Sequence, residues 1–165
     1  MRFDDRQDAG RRLGEALAEL APARPVVLAL PRGGVPVGRE VARRLRAPLD
    51  LVMVRKIGTP GHAELAAGAV VDGAQPELVL NQQIVRAHRI DAAYLERQQA
   101  LELAEIVRRR GLYLGGRPRV EVAGHTAILV DDGIATGATM LAALHAIRRA
   151  GPGELVLAVP VRSEE

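Results

Sequence analysis

The residues richest in chemistry lie between Ala127 and Thr139. Four consecutive apolar residues, Ala127-Ile128-Leu129-Val130, lead into two adjacent carboxylates, Asp131 and Asp132. The small, hydroxyl-bearing stretch Gly133-Ile134-Ala135-Thr136-Gly137-Ala138-Thr139 follows and opens a helix over Met140–Arg149. An unbroken apolar run suits a parallel strand covered on both faces. Glycines at its carboxyl end let backbone approach a ligand, and the unpaired N–H groups of a helix start attract an anion. Thr136 and Thr139 can add hydroxyl donors. Two carboxylates beside a phosphate cradle make sense only if they face neutral hydroxyls or a hard cation such as Mg²⁺. The chemistry implied is that of a phosphorylated sugar, with its phosphate in the loop and its ring hydroxyls on Asp131 and Asp132.

Other phosphate motifs fit poorly. A Walker A loop places Lys where this chain has Ala138, and Gly33-Gly34-Val35-Pro36-Val37-Gly38 lacks the spacing of a dinucleotide fingerprint. The string from Ala127 to Thr139 resembles the PRPP-binding motif of the type I phosphoribosyltransferases. That resemblance implies that Asp131 and Asp132 hold the ribose 2′ and 3′ hydroxyls and that Gly133–Thr139 binds the 5′-phosphate. It also implies Mg²⁺ as cofactor, carried mainly on PRPP, with Asp131 or Asp132 as the carboxylate able to reach it.

A second anion site follows the strand expected at Val26–Leu30. Pro31-Arg32-Gly33-Gly34 runs directly into a helix, so glycines, a helix N-terminus and the Arg32 charge coincide. This resembles the pyrophosphate loop of the same family, where the residue before the Arg-Gly pair often forms a cis peptide. Lys56 is the only lysine among the 23 Lys and Arg residues. Its compact ammonium can follow a moving phosphate charge better than a planar guanidinium. In the family a mobile basic loop closes over the reacting centre, and Arg55, Lys56 and Gly58–Gly61 occupy the corresponding place. The expected catalytic set is therefore Arg32, Lys56, Asp131 and Asp132. His62 reads as a solvated side chain, and His88, His125 and His145 show no metal-ligand spacing.

These residues need a frame. The chain has 165 residues, 48% of them apolar, enough for one domain with a full sheet core. Alternating β and α patterns predict an α/β fold with an open, mainly parallel, Rossmann-like sheet flanked by helices, as in the type I phosphoribosyltransferases. Helices are expected over Phe3–Leu20, from Gly34 to about Arg46, after Asn81 through His88, and after Asp91 to about Arg110, Asn81 and Asp91 being the caps. Strands are expected at Leu49–Val54, Ala69–Val71, Leu78–Leu80 and Leu155–Val159. Between the second and third strands, about residues 55–68, an irregular, flexible, Gly-rich loop is expected.

Composition excludes several functions. The pI near 10.1 reflects arginine in place of lysine, since net charge is only +3. Three aromatic residues, Phe3, Tyr94 and Tyr113, are too few for a base-stacking platform, so nucleic-acid binding is not expected. No cysteine is present, which rules out disulfides and thiol nucleophiles. No apolar stretch of membrane-spanning length or signal peptide is apparent, and a cytoplasmic homodimer without membrane partners is expected. Some relatives carry an Asp at the place of Ala135, so a motif carboxylate cannot handle a base proton here. The chain ends at Glu165, six residues beyond Val159, and is expected to lack the C-terminal hood that covers the nucleobase in the family. The function implied is transfer of 5-phosphoribosyl from PRPP-Mg²⁺ to a nitrogen acceptor, in the first place a nucleobase, with release of pyrophosphate. The alternative is a non-catalytic PRPP-binding regulator.

Overall fold

The computed structural model describes residues 3–134 and 137–160; of the expected site residues, Ala135 and Thr136 lie outside them. Its elements in chain order are α1 (Arg6–Glu19), β1 (Pro25–Ala29), α2 (Gly34–Leu45), β2 (Leu49–Leu51), β3 (Val54–Thr59), β4 (His62–Val71), β5 (Glu77–Leu80), α3 (Gln82–Ala87), α4 (Ala92–Leu114), β6 (Thr126–Val130), α5 (Ala138–Arg149) and β7 (Glu154–Ala158).

The two apolar runs become the centre of a four-stranded parallel sheet in the order β2-β1-β6-β7. β1 and β6 run in register from Pro25–Thr126 to Ala29–Val130, so both strands end at the same level. Alternate side chains go to opposite faces. Val27, Ile128 and Val130 pack with Leu17 of α1 and Val37 and Val41 of α2, while Val26, Leu28 and Leu129 pack with Met140, Ala143 and Ile147 of α5. Every β6 residue is buried, as expected of a strand that is apolar from Ala127 to Val130 and lies between two helical layers.

Caps place the helix starts. Asp5 Oδ1 accepts the Asp8 N–H at 2.7 Å, so α1 begins at Arg6, and Phe3, expected to be helical, lies outside it. Asn81 and Asp91 cap α3 and α4 as expected, accepting from Ile84 N and Tyr94 N. Gly151, with φ +77°, follows the end of α5.

The stretch 55–68 is not an irregular loop. Its residues lie in an antiparallel β3–β4 hairpin that turns at Gly61 (φ +76°) and is bulged around Gly58. With β5 it forms a second sheet, β3-β4-β5, so the strand expected over Leu49–Val54 is split between two sheets. The reason is tertiary. Ile57 and Val70 are buried against Leu95 and Ile106 of α4, and the Tyr94 hydroxyl donates to the Gly58 carbonyl at 2.7 Å. Alanine and glycine hide strand character from the sequence, and here packing overrides propensity.

A buried charge network joins the two sheets. Arg110 of α4 donates to Asp50 Oδ1 of β2 at 2.6 Å and to Asp72 Oδ2, just after β4, at 3.2 Å. Arg119 reaches the same Asp72 oxygen at 2.9 Å, and Asp72 Oδ1 accepts the Met53 N–H at 2.7 Å. Asp50 Oδ2 accepts the Val120 N–H at 2.9 Å. The network locks the strand that enters the hairpin to the segment that leads into β6.

Candidate active site

The level carboxyl ends of β1 and β6 bring the two loops together. The Pro31–Arg32 peptide is cis. Gly33 caps α2, and a Cβ built on it would overlap the Asp132 carboxylate. A Cβ on Gly34 would stand 2.7 Å from the Val130 carbonyl oxygen and 3.0 Å from Asp131 Cα. Glycine is therefore required here for close approach of one loop to the other, not for an unusual φ. Gly34→Ala should destabilise the protein by about 1–3 kcal/mol, because the obstacle is the backbone of the central strand, which a side-chain rotation cannot clear. Urea unfolding measures this; an unchanged midpoint would show that the two loops can separate freely.

Between the loops stands the acidic pair. Asp131 Oδ1 accepts the Asp132 N–H at 2.8 Å. Burial, together with the neighbouring Asp132 charge, pushes the Asp131 carboxyl up to about 6. On the far side, Gly137 (φ +76°) caps α5 and its carbonyl accepts the Leu141 N–H at 2.8 Å. Ala138 and Thr139 form the first turn, whose N–H groups lack intrahelical partners. Arg32, Gly33, Gly34, Asp131, Asp132, Gly133, Ile134, Gly137, Ala138 and Thr139 thus gather around the ends of two adjacent strands.

The hairpin residues divide. Arg55 is held by Glu102 of α4 at 2.7 Å, on the β3 side that carries Ile57; an ion pair already occupies the guanidinium expected to meet pyrophosphate. Lys56 lies on the opposite face with Val54, which packs against the cluster containing Met140 and Ala143 of α5. Lys56 is exposed and has no ion-pair partner among the described residues. His62 is exposed and meets His88 edge to face, ring centroids 5.6 Å apart.

One site residue escapes sequence reasoning. Arg6, the first residue of α1, donates from Nε to Asp132 Oδ2 at 2.8 Å across 126 positions. The only local signal was the Asp5 cap, which fixes where α1 begins.

Known proteins settle the family. A family model for the phosphoribosyl transferase domain matches residues 4–165. The chain belongs to the phosphoribosyl transferase family. A Mycobacterium tuberculosis protein that carries a provisional phosphoribosyl transferase name is 48% identical over 163 residues, 99% of this chain and 36% of that protein. The chain thus spans about a third of the length of the curated relatives it matches. The crystal structure of TT1426 from Thermus thermophilus is 50% identical, with a TM-score of 0.84 over 100% of this chain and 77% of that one. A purine phosphoribosyltransferase from Pyrococcus horikoshii aligns over 92% of this chain and 68% of its own at 16% identity, TM-score 0.51, a likeness of fold. The parallel sheet with its flanking helices is the type I phosphoribosyltransferase architecture that the motif anticipated. Among the described residues no helix is long and apolar enough to cross a membrane.

Proposed function

We propose that this domain transfers the 5-phosphoribosyl group of PRPP-Mg²⁺ to a nitrogen acceptor, a nucleobase in the first place, and releases pyrophosphate. The observation that carries this reading is the contact between the Arg32–Gly34 loop and the Asp131–Asp132 pair, each at the end of one of two registered parallel strands. Arg32 and the Gly33 amide would hold the pyrophosphate, with Gly34, whose own N–H donates to the Leu30 carbonyl at 3.0 Å, keeping the loop close to β6. Asp131 and Asp132 would hold the ribose hydroxyls, and Gly133–Thr139 the 5′-phosphate. In the step, the N–C1′ bond forms as the C1′–O bond to pyrophosphate breaks, its electron pair leaving on pyrophosphate. The acceptor's N–H proton passes to water. The ring carries positive charge as the bond breaks, and the acidic pair lies where it stabilises that charge.

The acidic pair also suits the magnesium the family implies. A half-buried carboxyl raised by burial and by its neighbour is a place short of positive charge. In this proposal the cation is held mostly on the diphosphate, with Asp131 or Asp132 as the protein carboxylate that reaches it. When bound, Mg²⁺ supplies charge neutralisation of the leaving group. Cytoplasmic location and a homodimeric state belong to the same proposal.

The test is pyrophosphate release with PRPP-Mg²⁺ and a panel of bases. Release with at least one base is the expected result. PRPP binding without release from any base would overturn the transferase reading in favour of a regulator. Lys56 supplies a further check. Lys56→Ala should lower kcat severalfold, with a smaller change in KM, since the ammonium would meet pyrophosphate mainly as charge develops. Its melting temperature should match the parent's, because an exposed, unpaired side chain contributes little to stability. Lys56→Arg should restore only part of the rate. Parent-like turnover by Lys56→Ala would make it an ordinary surface lysine.

A further inference from the structure

We propose that His62, at the tip of the β3–β4 hairpin, and His88, at the end of α3, form a two-histidine site for a divalent ion of the zinc or nickel class. The ion would clip the hairpin to the corner between α3 and α4. This inference is separate from the phosphoribosyltransferase reading and stands or falls on metal binding alone.

The first observation is the juxtaposition. The two rings lie edge to face, with centroids 5.6 Å apart and planes inclined at 63°. A zinc ion sits about 2.0–2.1 Å from each imidazole nitrogen in tetrahedral geometry, which puts two ligating ring centroids roughly 5–5.5 Å apart. The pair therefore already stands close to the separation that a shared ion requires. Both histidines are exposed. The χ2 torsion of histidine is broad, so turning one nitrogen of each ring toward the point between them costs little.

The second observation is an unpaired hydroxyl. Thr59 and His62 are directly opposed in the hairpin register, across the Pro60-Gly61 turn. Opposed residues of an antiparallel pair project to the same side of the sheet, so the Thr59 hydroxyl stands on the side of His62. Thr59 is 2% exposed, and its Oγ1 is the one buried side-chain polar atom without a hydrogen-bond partner among the described residues. Leaving a buried hydroxyl unpaired is costly. A water on an ion held by His62 would donate to it.

The donor set chooses the ion. Neutral imidazole suits zinc, nickel and copper, whereas magnesium and calcium take oxygen ligands. Arg86 and Arg89 flank His88 in the chain, so binding draws on nitrogen ligation and not on a general attraction for cations. Among the described residues no third His, Asp or Glu joins the pair, so the ion keeps water in its other positions. Lys56 lies in the same strand as Thr59, and an ion at the tip would restrain the hairpin that carries it.

The experiment is calorimetric titration of the untagged whole chain, without PRPP, by zinc, nickel and magnesium chlorides. One zinc per chain should bind at micromolar concentration, and magnesium should bind at least tenfold more weakly. His62→Ala and His88→Ala should each weaken zinc binding at least tenfold, while His145→Ala leaves it unchanged. Without metal these variants should melt with the parent, since exposed side chains contribute little to stability. Thr59→Val should weaken zinc binding severalfold, as loss of an outer-shell partner does, without lowering the metal-free melting temperature. Zinc should slow amide hydrogen exchange at the hairpin tip and around His88 in the parent, and in neither single histidine variant. No zinc binding by the parent at millimolar ion, or parent-like zinc affinity in His62→Ala or His88→Ala, would overturn the site. Magnesium binding as tight as zinc would overturn the ion class, and parent-like affinity in Thr59→Val would overturn the part given to the hydroxyl.

Discussion

Replacing Asp131 and Asp132 together by asparagine will weaken PRPP binding at least tenfold, about 1.4 kcal/mol, and leave the protein folded. The carboxylates are the anionic acceptors between the two loops that a pair of ribose hydroxyls can share, and asparagine offers each a weaker acceptor beside an unwanted donor. Affinity in the parent should also fall as pH drops below about 6, where Asp131 takes up its proton. The same residue makes an opposite prediction for stability. Its folded pKa lies above the ordinary value of 3.8, so between the two values the folded state binds more protons than the unfolded one. Stability therefore declines as pH rises from about 4 to about 6, and the full cost is present above that. Asp131→Asn should consequently be more stable than the parent at pH 7.5, and that gain should vanish below about pH 4. Calorimetry for PRPP and urea melts at the two pH values measure both halves. Unchanged PRPP affinity in the double variant would remove the pair from the ribose site. A pH-independent difference in stability would show that burial does not disfavour the Asp131 charge.

Asp72→Ala should cost about 3–5 kcal/mol, because it removes one partner from a buried ion network and leaves its other members uncompensated. The Asp72 side chain is 1% exposed and holds Arg110, Arg119 and the Met53 N–H together. Asp50 still pairs with Arg110 in the variant, which places the cost nearer the lower bound. A chain of this length loses about 2–4 °C of melting temperature per kcal/mol, so the effect is easily read. Asp72→Asn keeps an acceptor for Met53 and should cost less. The network also bears on function, since it ties the hairpin carrying Lys56 to β2 and to the approach to β6. A stable Asp72→Ala variant, within about 1 kcal/mol of the parent, would mean that packing alone holds the two sheets in place.

What the chain declares locally is the strand–turn–helix chemistry. Ile128 to Val130 read as a doubly covered strand because nothing polar interrupts them. Gly33, Gly34 and Gly137 mark where backbone must come close or turn left-handed, and Asn81 and Asp91 announce the helices they cap. Each signal is contained within a few residues, where sterics and hydrogen-bond satisfaction act without help from the rest of the molecule. The hairpin over 54–71 is different, since its alanines and glycines become strand only when Ile57 and Val70 find α4. Charge partners are different again. With arginine making up nearly all the basic residues, no spacing rule could match Arg6 to Asp132, Arg55 to Glu102 or Arg110 to Asp50 and Asp72. Those choices, and the raised proton affinity of Asp131, depend on burial and on approach across 38 to 126 positions, which only the folded chain creates.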